Sequence, residues 1–356
     1  MGVCKSLIRN GERGRNRTFN LLIKSQLLCQ LSYAPTTKYG THQYSGALGK
    51  AATFGVISLV AISSAGRINS ILMIKTLTVS CVQMHWARDL QYNLAATKKY
   101  IELAAAAGSR VVLFPETSLT GYYLPYAVEL HPGDVEQALR ETADEARRCG
   151  LWVIAGTIRR TTDRCLNVAH VISPAGEIVH EYAKVQMAGR DEKRFCRGGD
   201  KLSLFEIDGV LCTLVICRDG RHPELYRLPA MAGAQILFHP SCSSDEIEAV
   251  AWKRLSGRAQ QPVGPNSKMF HCVANTIGQS PDGKQTSSGW SFIREPNGIP
   301  LAEAGYYQEE MITAVLDLER ADRSYVLDSL ENPPFLRAHW QAMIEEMKAR
   351  ANRRPE

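Results

Sequence analysis

The sequence predicts a layered α/β domain, and three observations carry that expectation. Short apolar runs of strand length recur along the chain, separated by helix-length segments that are Ala-rich or amphipathic. No segment repeats at a fixed period, so the mixed elements belong to layers packed on a shared core. At 356 residues and 45% hydrophobic content the chain can bury a large core, as one big domain or two.

The elements follow in order. Residues 76–84 alternate as a strand, and 90–107 form an Ala-rich helix that Gly108 stops as a C-terminal cap. Residues 110–114 are a short buried strand ending in Pro115-Glu116. A helix over 135–149 stops at Gly150, and strands are expected at 151–158, 166–172 and 178–182, with Pro174-Ala175-Gly176 turning the last two. The stretch 184–200 reads as polar and irregular. Residues 210–216 form a buried strand, Arg218-Asp219-Gly220 a polar turn, 223–231 a helix with Pro near its first turn, and 235–239 another strand. A helix over 246–260, strands at 268–274 and 289–294, a tight turn at Glu295-Pro296-Asn297-Gly298 and a last strand at 311–316 complete the body.

Three segments are expected: 1–72, a disordered leader; 73–330, the folded domain; and 331–356, a charged helical tail. The leader holds nine Lys or Arg and one acidic residue, whereas the remainder holds 33 basic and 35 acidic residues. The basic excess therefore sits in the leader, and the body gives no reason to expect nucleic acid as a partner. The apolar run 51–62 is too short to span a bilayer, so no membrane partner is expected either. That run resembles a signal-peptide core but lies some fifty residues too far from Met1, and Asn16-Arg17-Thr18 is a glycosylation sequon by pattern only. Met73 directly precedes the first convincing strand, so it is expected to be the true start. In the tail, Trp340, Met343 and Met347 share one helical face, which fits a homodimer contact or the subunit's own core equally well. Ten cysteines without a CxxC pair or framework spacing indicate reduced thiols and a cytoplasmic setting.

Chemistry concentrates at strand ends. Cys217 closes a buried strand just before a helix start, a position that fixes its sulfur near helix N–H groups and favours the thiolate. A lone cysteine there is ordinarily a small buried hydrophobe. Glu116 likewise follows a buried strand, where a carboxylate often caps a turn, and Lys184 follows another, where a solvated lysine is the bland reading. Each of the three lies just past a core strand, so an α/β fold can bring all three to one rim. Zinc is the rival for Cys217, with Cys212, His222, His239 and Cys242 nearby. Structural zinc uses closely spaced pairs, and Cys212 and Cys217 point to opposite faces of an extended run. No metal site is expected.

The segments FPETSLTGY, EYAKVQM and VICRDGRHPELYR resemble, in order and spacing, the three motifs of the nitrilase (carbon–nitrogen hydrolase) superfamily. The resemblance covers about 75–325 and extends to WKRLSGRAQQ…FHCVANTIG and FIREPNGIPLAEAG. It implies a four-layer αββα sandwich, usually paired across a two-fold axis, and a small-molecule amide or carbamoyl substrate with no cofactor. It also implies Glu116 as general base, Lys184 as the cation beside the oxyanion, Cys217 as nucleophile and Glu192, eight residues after the lysine, as the residue holding Lys184. Arg218, Arg221 and Tyr122 are the candidate substrate contacts. Arg221 matches an arginine that binds the substrate carboxylate in N-carbamoyl-amino-acid hydrolases, although Gly220 and His222 depart from their DRRWPETYR-like block; pairing of Arg221 with Asp219 or Glu224 is the competing reading.

The residue types suit the task. An amide is a poor electrophile and calls for a thiolate, a base takes the thiol proton, and donors such as the Arg218 N–H meet the oxyanion. Amidase or carbamoylase chemistry is the primary reading. Nitrile hydrolysis by the same triad and a non-catalytic binding protein on this scaffold stay open. No glutamine-dependent synthetase domain accompanies the motifs, so an ammonia-donating module is not expected.

Overall fold

The computed structural model describes residues 75–246, 267–280 and 285–322, with a few isolated positions, all within one compact unit spanning Asn69–Glu356. The leader 1–72, the Met73 start, most of the helix expected over 246–260, and the amphipathic tail lie outside the described residues.

The elements are β1 (Thr76–His85), α1 (Leu90–Ala106), β2 (Val111–Leu113), α2 (Leu124–Ala127), α3 (Pro132–Cys149), β3 (Trp152–Arg160), β4 (Cys165–Ile172) and β5 (Ile178–Ala183). They continue with α4 (Gly189–Phe195), β6 (Phe205–Ile207), β7 (Val210–Leu214), a 3-10 turn at Cys217–Arg221, α5 (Glu224–Ala232), β8 (Ile236–Pro240) and β9 (Ser244–Asp245). The last are β10 (Phe270–Ala274), β11 (Thr276–Gln279), β12 (Thr286–Ser288), β13 (Phe292–Arg294), β14 (Pro300–Glu303) and β15 (Glu310–Asp317). α3 begins three residues before its expected start because Pro132 occupies the first turn and His131 caps it, its Nδ1 accepting from the Gly133 N–H at 3.2 Å. The stretch 184–200, expected to be irregular, contains α4; its polar composition hides a short helix with one buried residue, Glu192.

Two sheets result. One runs β5-β4-β3-β2-β1-β11-β12-β9, with β15 also pairing antiparallel to β1; the other runs β14-β13-β10-β8-β7-β6. β1 shows how the sequence stacks the layers. Leu77, Val79 and Cys81 point into a core that Cys212, Leu214, Phe238, Phe270 and Cys272 of the second sheet complete, while Val82 and Met84 point the other way. The outward residues meet Tyr100, Ile101 and Ala104 of α1 and Ala143 and Ala146 of α3. On the far side of the second sheet, Val215, Leu237 and Met269 pack on Tyr226 and Ala230 of α5. Helix, sheet, sheet and helix give the four-layer αββα sandwich. Each large apolar side chain fully buried between the layers contributes about 1.5–3 kcal/mol. β2 and β5 end in the first sheet and β7 in the second, so residues just past these strands meet at one rim of the sandwich.

Candidate active site

Glu116 follows β2 at a crowded bend. Thr117 takes a left-handed φ of 52°, and a Cβ on Gly156 of β3 would come within 2.5 Å of the Thr117 nitrogen. Glycine there lets β3 press against the bend, where the Gly156 N–H donates to Ser118 Oγ and the Leu119 N–H donates to the Gly156 carbonyl. The carboxylate is buried. Its Oε1 accepts from Lys184 Nζ at 2.6 Å and Asn167 Nδ2 at 2.7 Å, and its Oε2 accepts from the Cys242 N–H at 2.9 Å.

Lys184 is completely buried, and Nζ donates onward to Glu192 Oε1 and Oε2 at 3.0 and 2.9 Å. Glu192 also accepts from Asn167 Nδ2 at 2.8 Å, from Tyr122 Oη at 3.2 Å and from the Ala188 N–H at 2.5 Å. One ammonium thus serves two carboxylates. Burial by itself lowers the Lys184 pKa, but the Glu116, Cys217 and Glu192 charges outweigh it, and the amine stays protonated. Glu116 is raised above the ordinary carboxylate value, first by burial and further by Glu192, against the pull of Lys184. A carboxylate with raised proton affinity is suited to act as a base.

Cys217 sits at φ 45° on the 3-10 turn after β7, its Sγ 4.0 Å from the Cys242 carbonyl oxygen. The pull toward the thiolate expected from the backbone beside Cys217 is outweighed. Burial, and after it the Glu116 charge, push the thiol up to about 12, with Lys184 opposing, so it is protonated at neutral pH. A five-residue 3-10 turn offers too little aligned backbone to reverse that. Asp219 fixes the turn to the end of β5. Its carboxylate, buried and itself raised by desolvation, accepts from the N–H groups of Val185, Gln186 and Ile216 and from Tyr182 Oη.

Cys217, Glu192, Tyr122, Arg218 and Arg221 line a cavity of about 920 Å³, together with Trp86, Tyr123, Trp290 and Phe292. Glu116 and Lys184 are bonded directly to residues of its wall, Lys184 to Glu192 and Glu116 to the Cys242 N–H. The competing pairing of Arg221 is not seen, because Asp219 is engaged elsewhere, and Arg221 is exposed with no partner among the described residues. Cys212 lies between the sheets, away from the cavity. The sequence reading missed Asn167, which bridges both glutamates. Its one signal was a polar residue inside the mostly apolar run of β4, which also holds His170. It also missed the work done by Asp219, which it read as part of the turn and as a competing partner for Arg221.

The carbon–nitrogen hydrolase family model matches residues 78–324. The chain is 30% identical over 253 residues to the 2-oxoglutaramate amidase of Bacillus subtilis, covering 68% of this chain and 92% of that one. It is 27% identical over 259 residues to the omega-amidase of Danio rerio, covering 68% and 88%. Among solved structures, an amidase from Nesterenkonia sp. superposes with a TM-score of 0.63 at 22% identity, covering 75% of this chain and 98% of that one.

Proposed function

Since the chain belongs to the carbon–nitrogen hydrolase family, we propose that it hydrolyses a small amide through a thioester on Cys217, with Glu116, Lys184 and Glu192 completing the catalytic set. The observation that carries this reading is the saturated Glu116–Lys184–Glu192 cluster beside a cavity-lining thiol. As Cys217 Sγ attacks the carbonyl carbon, its proton passes to Glu116, whose raised pKa favours the transfer. The carbonyl oxygen becomes an oxyanion, met by the Arg218 N–H and by the Lys184 charge. Collapse breaks the C–N bond while Glu116 returns the proton to the leaving nitrogen. Water, activated by Glu116, then attacks the thioester, releasing the acid and restoring the thiol. All groups come from the chain, and water is the only co-reactant.

The 2-oxoglutaramate amidase and omega-amidase relatives favour an amide over a carbamoyl or nitrile substrate. Two guanidiniums at the cavity wall, Arg218 and Arg221, without a partner among the described residues, favour an amide that also bears a carboxylate. Ammonia release is to be measured over omega-amides of dicarboxylic acids, their neutral analogues, N-carbamoyl amino acids and nitriles. Turnover is expected on the carboxylate-bearing amides and is expected to vanish in Cys217→Ala. Turnover that survives that substitution overturns the reading.

A further inference from the structure

We infer that His239 is a positioning residue that aims the Arg218 backbone N–H at the developing oxyanion, by gripping the opposite edge of the same peptide unit. The inference rests on the proposed role of Cys217 as nucleophile. His239 Nε2 lies 2.9 Å from the Cys217 carbonyl oxygen. A carbonyl only accepts, so Nε2 carries the hydrogen. The ring is half-buried on the cavity side of β8, and desolvation brings its pKa down to about 4, so it is neutral at pH 7 and Nδ1 is bare. His271 Nε2 stands 3.0 Å from that Nδ1 and must be its donor. The rings lie 16° from parallel with centroids 5.3 Å apart, and His271 also packs at 85° to the Phe292 ring. Both tautomers are thereby fixed, and His271 orients His239 as His239 orients Cys217.

Planarity carries this hold to the reacting side. In a trans peptide the Cys217 C=O and the Arg218 N–H point in opposite directions from one rigid plane, so fixing one fixes the other. Cys217 takes a left-handed φ of 45°, a conformation that persists only where surroundings enforce it. The Arg218 N–H has no partner among the described residues, whereas the Lys184 ammonium is committed to two carboxylates. Accepting a hydrogen bond at the carbonyl also makes the N–H of that unit a stronger donor. Gly220 fits the same arrangement. A Cβ there would come within 2.6 Å of His239 Cε1 and 3.1 Å of Nε2, and Gly220 does not take a left-handed φ, so glycine is present for space.

Two probes of Cys217 separate this role from general support of the turn. Acylation by p-nitrophenyl acetate, read as the p-nitrophenolate burst, develops an oxyanion; alkylation by iodoacetamide, read by peptide mass at Cys217, does not. His239→Leu is expected to slow the burst about tenfold or more, part of the ~10²–10³ that a whole oxyanion donor supplies. Alkylation should stay within about twofold of the native rate, because thiol reactivity follows its pKa and access. His239→Gln keeps an N–H donor and should bring the burst back to within about threefold of native. Gly220→Ala keeps the histidine but crowds its ring, and should slow the burst by an intermediate factor. An unchanged burst in His239→Leu, no rescue by His239→Gln, or burst and alkylation falling together overturns the inference. A native protein without a burst, or a burst that survives Cys217→Ala, counts instead against Cys217 as nucleophile.

Discussion

The two sides of the cavity are built on opposite terms. Where the first sheet ends, Glu116, Lys184, Glu192, Asn167 and Tyr122 form a buried network in which all three ammonium donors are taken by carboxylate oxygens. Where the second sheet ends, Cys217 stands on strained backbone, and the Arg218 N–H and the two guanidiniums have no partner among the described residues. One side is charge held in fixed register; the other is backbone geometry held open for an incoming group. On the proposed reaction, the first side would carry stability and reactivity together and the second reactivity almost alone.

Paired substitutions break or sharpen that contrast most strongly. Cys217→Ala should remove turnover, by about 10⁴-fold or more, since losing a nucleophile leaves only binding and oxyanion terms. Its unfolding free energy should move by no more than about 1 kcal/mol, because a half-buried thiol at a strand end fills little of the core. Lys184→Met should also remove turnover, but it leaves two buried carboxylates without their cation and should cost about 3–5 kcal/mol of stability. Urea unfolding of the two variants beside the native protein checks this. Equal stability loss would erase the distinction between the sides.

The sequence carried much of this site and missed a definite part of it. Glu116, Lys184 and Cys217 were legible because each sits where an apolar run stops, and the strand positions place such ends at one rim. The sandwich layers were legible because the alternation in β1 sends odd and even residues to different cores. Asn167, Asp219 and His239 were not legible as site residues. What each does depends on a partner between 22 and 51 residues away along the chain, Cys217 for His239 and Glu116 for Asn167, and local pattern does not encode such a pairing. The pull toward the thiolate was overweighted for a related reason. It weighed the backbone beside Cys217 but not the Glu116 charge and the burial that only the assembled fold supplies.

A smaller effect follows from that thiol. With the Cys217 pKa lifted from the ordinary 9.0 to about 12, its thiolate fraction at pH 7 is very low and rises with every pH unit through 10. Iodoacetamide labelling of Cys217 should therefore climb about tenfold per pH unit from 7 to 10 without levelling, as a thiolate nucleophile below its pKa requires. A plateau centred below pH 8 would contradict the raised pKa. The same shift acts on stability with a definite sign. The folded state holds this proton more tightly than the unfolded chain, so its contribution is complete below pH 9 and is lost as pH rises from 9.0 to about 12. Stability in that window should fall with pH, and Cys217→Ala should fall less steeply.

The smallest expected effect concerns the open side's guanidiniums. Arg221 lines the cavity four residues after Cys217, on the turn whose Asp219 is already engaged by Tyr182 and by backbone N–H groups. Nothing among the described residues holds its guanidinium, which can therefore turn to meet a carboxylate with two parallel hydrogen bonds. Such a contact forms equally in ground and transition states, because the carboxylate is remote from the bond that breaks, so its loss should appear in KM and leave kcat nearly unchanged. Arg221→Ala is expected to raise KM about tenfold for a carboxylate-bearing amide, the loss of one charge-assisted contact, and to leave its neutral analogue within about twofold. Arg218→Ala removes the neighbouring side chain but keeps the Arg218 N–H, so kcat should again hold. If both amides lose equally in Arg221→Ala, the arginine supports the turn and does not select the substrate. A fall in kcat for Arg218→Ala would mean that its side chain, and not only its backbone, faces the reacting carbonyl.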